Sequence, residues 1–187
     1  LIHNAVERIT PVPCNVIREK YGLEKDSYIL YVGRISPEKG PQDLLEAYQK
    51  LRLQERLVLA GPIPETEFGK EMTQKIDADP RVIRTGLVQG QELAELFSNC
   101  RLFVLPSHTE GLSLALLEAM SCGGRCLVSD IPANTVITKQ YGAEFEAENI
   151  DSLAAALSKE LTTPKDEELL KQEMEYVKEN FDYDAVI

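Results

Sequence analysis

The sequence predicts an α/β domain of three layers, with a parallel sheet of about six strands between two layers of helices. Three observations carry that expectation. Short apolar runs rich in β-branched residues alternate with longer stretches of helical period along most of the chain. The first two runs end on glycine, Gly33 and Gly61, as strands do when they feed a tight loop. The chain has 187 residues, the length of one domain, and 43% of them are hydrophobic, enough for one core.

The elements follow in order. Residues 28–33 read as the first strand and 41–53 as its helix, with Leu44, Leu45, Ala47, Tyr48 and Leu51 at helical spacing. The second strand is expected over 57–61, followed by a Pro-rich turn and a polar helix over 65–78. A third strand covers 81–86 and a short helix 91–99. Leu102 to Leu105, closed by Pro106, form the fourth strand, with a helix expected over 111–122. After the Gly123-Gly124 turn, Cys126 to Ser129 read as the fifth strand and residues 143–145 as a weak sixth. Two more helices cover 150–161 and 165–180, the second entered through Thr163-Pro164. Residues 1–25, with Pro11, Pro13 and little periodicity, read as a lead-in to a domain over 26–187. A sequence that opens on Leu1 rather than Met is expected to be a fragment, a processed product or an excised domain.

Composition narrows the function. Twenty basic against 31 acidic residues give a net charge of −11, which argues against nucleic acid or an anionic membrane surface as the main partner. No apolar stretch approaches the ~20 residues of a membrane span, and no signal peptide is visible. Cys14, Cys100, Cys122 and Cys126 match neither a metal knuckle nor a C-x-x-C pair, so reduced thiols in a cytosolic compartment are expected. Small molecules and proteins remain as partners.

Ligands of open parallel sheets gather beyond the carboxyl ends of the strands, so the loops there hold the candidate chemistry. The first loop, Gly33-Arg34-Ile35-Ser36-Pro37-Glu38-Lys39-Gly40, places two cations five residues apart between glycines. Arginine offers a forked donor and lysine a point charge to an anion. The loop is neither a Walker A nor a G-x-G-x-x-G pattern, and from the residues alone it reads equally as an anion grip or as two solvated cations. After the fourth strand, Gly111, Leu112, Ser113 and Leu114 open a helix whose free N–H groups and positive dipole end favour a phosphate. Glu110 and Glu118, taken as one helix, lie about 12 Å apart along its axis and within ~80° of one face. That exceeds the ~5–9.5 Å of a glycosidase carboxylate pair, and suits two hydroxyl-rich groups on either side of a diphosphate. Glu118 sits among apolar neighbours, where a carboxylate needs a partner unless it emerges at the helix edge. His108 reads as a loop residue.

The stretch from Tyr31 to Gly40, and Leu105-Pro106-Ser107 through Glu110-Gly111 to Leu117-Glu118-Ala119-Met120, resemble the C-terminal half of retaining GT-B glycosyltransferases of family four. The resemblance continues through Ser129-Asp130-Ile131-Pro132 and Gly142, covering nearly the whole chain. Ile2-His3-Asn4-Ala5-Val6 is similar to that family's interdomain connector, and Phe181-Asp182-Tyr183-Asp184 to the start of its C-terminal crossover. The chain departs from the family at Ser113, where glycine is frequent, and at Thr135, where an acidic residue is frequent.

The resemblance implies a Rossmann-like, nucleotide-sugar-binding half of a GT-B fold. It implies that Arg34 and Lys39 grip the diphosphate of a nucleotide-activated sugar and that Glu118 binds the ribose hydroxyls. Glu110, with the amides of Gly111, Leu112, Ser113 and Leu114, would hold the donor sugar and its phosphate. Gly33 and Gly61 would let backbone approach the donor, and residues 84–88 would wall the base. The implied reaction transfers a sugar from a nucleotide diphosphate sugar to an acceptor hydroxyl with retention, in polysaccharide, lipopolysaccharide or glycolipid synthesis. No metal or other cofactor is implied. The acceptor would bind through an N-terminal domain, without which this segment would catalyse little; a cytoplasmic setting without direct membrane contact is expected. The alternatives are a non-catalytic nucleotide-sugar-binding module, or a related enzyme such as a glycogen-type synthase or a sugar-nucleotide epimerase.

Overall fold

The computed structural model describes residues 10–181. The connector expected at Ile2 to Val6 and the crossover residues from Asp182 onward lie outside them. Six parallel strands form one sheet: β1 (Tyr28–Val32), β2 (Arg56–Ala60), β3 (Val82–Gly86), β4 (Leu102–Leu105), β5 (Cys126–Ser129) and β6 (Ala143–Phe145). Their order is β3-β2-β1-β4-β5-β6. The three-layer α/β expectation holds.

Helices α2 (Pro41–Gln49), α3 (Glu67–Asp77) and α7 (Ile150–Thr162) cover one face of the sheet. The other is covered by α1 (Val16–Tyr21), α4 (Gly90–Asn99), α5 (Leu114–Ser121), α6 (Pro132–Thr138) and α8 (Glu167–Phe181). Because both faces are covered, the central strands read as continuous apolar runs. Tyr28, Leu30, Phe103, Leu105 and Val128 pack toward α4 and α5, while Ile29, Tyr31, Leu102, Val104 and Leu127 pack toward α2 and α7. No helix among the described residues is long and apolar enough to cross a membrane. The cysteines form no disulfide; Cys14, Cys100 and Cys126 are buried.

Most expected elements lie within a few residues of their places, and three differences have physical causes. The lead-in contains α1, whose Ile17 is fully buried. This short helix is held from outside: Glu95 of α4 accepts hydrogen bonds from the amides of Asn15, Val16 and Ile17 at 3.0 to 3.2 Å. Burial opposes the charge of Glu95, yet these amides and Gln91 hold its carboxyl below the usual range. Helix α6 is unannounced because seven residues starting at Pro132 and rich in Thr, Val and Ile carry little helical signal. Helix α5 begins at Leu114 rather than at residue 111, since Ser113 is extended and caps it, its hydroxyl accepting the Leu116 amide at 3.2 Å.

Glu173 of α8 has the opposite fate to Glu95. It is fully buried, and neither carboxylate oxygen has a hydrogen-bond partner. Desolvation raises its pKa from 4.5 to about 9. A raised folded-state pKa gives stability that is complete below the unfolded value and drains away as pH climbs from about 4.5 toward about 9. Glu173→Gln should remove that slope: in denaturant melts the variant should match the parent within about 1 kcal/mol near pH ~5 and exceed it by several kcal/mol near pH ~8.5.

Candidate functional site

The order of the strands determines where a crevice opens. Connections from β1 run toward β2, whereas β4 lies on its other side, so the loops after β1 and β4 part at the switch point between them. Those are the two loops the sequence marks.

The loop after β1 is anchored by backbone. Gly33 N–H donates to the Ala60 carbonyl at 2.9 Å and Ile35 N–H to the Pro62 carbonyl at 3.0 Å. Gly61 packs so closely that a Cβ there would lie 1.8 Å from the Gly33 carbonyl oxygen. The Tyr31 hydroxyl, protonated because burial pushes its pKa up, donates to the Arg34 carbonyl at 2.7 Å. With its backbone held, Arg34 presents an exposed guanidinium that has no hydrogen-bond partner among the described residues. A 3-10 turn at Pro37–Lys39 follows and closes on Gly40.

Gly40 joins this loop to the next. It adopts φ +72°, and a Cβ there would lie 2.1 Å from the Pro106 carbonyl oxygen. His108 N–H donates to the Glu38 carbonyl at 2.9 Å, completing a backbone seam between the loops. Across it, Lys39 Nζ meets Glu110 Oε1 at 2.8 Å, and the Ser107 hydroxyl donates to the same oxygen at 2.8 Å. Glu110 is only 5% exposed and Lys39 33%, so this ion pair is less solvated than exposed pairs such as Arg18–Glu24 and Arg84–Asp77.

The structure brings Lys39 and Glu110 into contact, with Arg34 on the same loop as Lys39. Glu118 stands in α5, half-buried. Glu110 lies in the loop, four residues before α5 begins, so the spacing computed for two carboxylates on one helix does not apply. Gly111 and Leu112 are exposed loop residues, Ser113 is the cap, and Leu114, 49% exposed, starts the first turn. The Ser113 hydroxyl is turned back onto the helix, and the residue is buried. Arg84 forks onto Asp77 of α3 at 2.8 and 3.1 Å, which commits its guanidinium to that helix. Gly86 bridges Gly61 at the strand ends.

Sequence reasoning passed over the supporting residues. Ser107 orients Glu110; Ser129 supports Ser107, donating to its carbonyl at 2.6 Å, and Asn134 donates to Ser129. Asp43 of α2 meets His108 Nε2 at 2.6 Å. Nothing in the sequence distinguishes Asp43 from any acid in the first turn of a helix. Among the described residues, no group of three or more His, Cys, Asp or Glu is arranged to hold a metal ion.

The sequence pattern of the family described as glycosyl transferases group 1 matches residues 15–178. The chain belongs to this family. O-antigen chain mannosyltransferase B of Escherichia coli is 29% identical over 157 residues, 81% of this chain and 41% of that protein. Sucrose-phosphate synthase from Thermosynechococcus elongatus superposes with a TM-score of 0.80 at 26% identity, over 98% of this chain and 48% of that one. The Anabaena protein HepE, solved with UDP-glucose, shares the fold with a TM-score of 0.79 at 21% identity, over 89% of this chain and 48% of that one. This glycosyl transferases group 1 chain thus spans less than half the length of these relatives.

The seam at Gly40 is testable. Gly40→Ala combines a left-handed backbone with a clash against the Pro106 carbonyl. It should lower stability by roughly 2–4 kcal/mol in a denaturant titration, an effect well above that of a surface substitution.

Proposed function

We propose that this chain is the donor-binding half of a glycosyltransferase that moves a sugar from a nucleotide diphosphate sugar to an acceptor hydroxyl with retention of anomeric configuration. One observation carries the reading: at the switch point of the sheet, Arg34 and Lys39 stand across a seam from Glu110 and the amides ahead of α5. In this reading Arg34 and Lys39 take the diphosphate, and the amides from Gly111 to Leu114 take the phosphate next to the sugar. Glu110 receives sugar hydroxyls and Glu118 the ribose, while Gly33 and Gly61 keep the floor low enough for the nucleotide.

Negative charge grows on the leaving phosphate as the glycosidic bond breaks. Fixed cations and oriented N–H donors lower that barrier because they need no reorganisation when the charge appears. The reading assigns this role to the side chains and amides, with no metal. The mannosyltransferase relative supports a hexosyl donor and a glycan acceptor. The acceptor would sit on a second, N-terminal domain, in a cytoplasmic enzyme of polysaccharide, lipopolysaccharide or glycolipid synthesis, and this segment would make no membrane contact of its own.

Lys39 and Glu110 neutralise each other across the seam, so a donor that engages both must replace each partner for the other. That gives two substitutions opposite effects. Calorimetric titration with UDP, GDP and ADP, with and without magnesium, should give one nucleotide bound more tightly than about 1 mM without the metal. Arg34→Ala and Lys39→Ala should each weaken it about tenfold or more. Glu110→Gln frees Lys39, and should leave the bare diphosphate bound as well or better while abolishing the added affinity of its sugar. No binding by the parent chain, or loss of bare diphosphate affinity in Glu110→Gln, would overturn the reading.

A further inference from the structure

One side chain between the two loops has no role in the donor-binding reading. His108 is two residues before Glu110, and its ring reaches back to α2. Its Nε2 lies 2.6 Å from Asp43 Oδ2, with side-chain exposures of 22% and 15% for the two residues. A carboxylate acceptor at that distance places a proton on Nε2. On the other edge of the ring, Nδ1 is 3.5 Å from Glu148 Oε1, too long for a bond of comparable strength. Glu148, from the loop between β6 and α7, is 69% exposed and has φ +61°. The loop after β4, the first turn of α2 and the loop between β6 and α7 therefore meet at one imidazole, and Asp43 is its principal partner.

We propose that His108 is a positioning residue for donor binding: its bond to Asp43 holds the Glu110 loop at a set distance from the Lys39 loop. The proposal rests on the donor-binding reading above. The Lys39–Glu110 pair cannot do this job once a ligand is present, because the ligand takes both partners. What then remains across the seam is the His108 amide on the Glu38 carbonyl, a weaker Thr109 contact at 3.4 Å, the packing of Gly40 on Pro106, and the His108–Asp43 bond. Of these, only the last is a bond between side chains, and it is charge-assisted and largely shielded from water. It fixes the loop on the side of His108 that leads directly to Glu110, the group assigned to the sugar. A small displacement there costs affinity for the ligand that spans both loops and little for one that touches neither Lys39 nor Glu110.

The test uses the 187-residue chain and calorimetric titration with UDP-glucose, GDP-mannose and ADP-glucose, and with UMP, GMP and AMP as the short counterparts. For whichever base binds, His108→Ala should weaken the nucleotide sugar about tenfold, the loss of one charge-assisted bond, and change the monophosphate less than about twofold. His108→Gln keeps a donor for Asp43 and should recover most of the loss. Asp43→Ala should reproduce the His108→Ala effect, and the double variant should add nothing to it; it also replaces His108→Ala if that variant folds poorly. Unchanged nucleotide-sugar affinity, equal losses for sugar nucleotide and monophosphate, or no recovery by His108→Gln would each overturn the proposal. If no nucleotide binds the parent chain, the donor reading fails instead. Hydrogen exchange then decides on the positioning role alone: amides of residues 36–40 and 106–111 losing protection together in His108→Ala support it, and unchanged protection overturns it.

Discussion

Strand β1 is shared. It pairs with β2 on one side and β4 on the other, and every strand is parallel, so each connection must cross a face of the sheet before it returns. The loops after β1 and β4 leave in different directions and open the one gap along the carboxyl edge that topology requires. The close approaches at that edge follow from it. Gly61 against the Gly33 carbonyl and Gly40 against the Pro106 carbonyl bring backbone to within distances that no side chain allows. The candidate residues Arg34, Lys39 and Glu110 lie on loops held by these contacts, and such anchoring is what preorganises a site.

Lys39 and Glu110 keep each other's charge paired. A carboxylate as shielded as Glu110 is costly without a counter-charge, and Lys39 with Ser107 supplies one. In a chain of net charge −11, this pairing also holds the Lys39 cation against the loop after β4. Arg34, exposed on the same loop as Lys39, lacks such a partner among the described residues.

Glu95 and Glu173 show how partners, not burial, decide the state of a carboxylate. Both are fully buried. Glu95 receives three amides at the start of α1 and stays charged; Glu173 between α8 and the core receives none and holds a proton up to about pH 9. The first makes a six-residue helix a fixed part of the domain, since a helix that short has little stability of its own. The second links the docking of α8, which packs on the site helix α5, to pH.

Much of the fold was legible because fully buried parallel strands write themselves as unbroken apolar runs, and because the glycines and prolines at their ends mark the loops. The runs at Tyr28, Leu57, Leu102 and Cys126 became β1, β2, β4 and β5, and the cation loop and the Glu110 loop lie where strand-end reasoning placed them. What the sequence could not carry were features that depend on partners distant along the chain. Helix α1 exists because of Glu95, about 80 residues away. The start of α5 was displaced by a hydroxyl that the periodicity does not record. The pairing of Lys39 with Glu110 and of His108 with Asp43 joins residues 71 and 65 positions apart. Local pattern determined the strands, the helices and the chemical types at the loops. Only the tertiary structure decided which charges meet, because that depends on how two loops from non-consecutive strands are set against each other at the switch point.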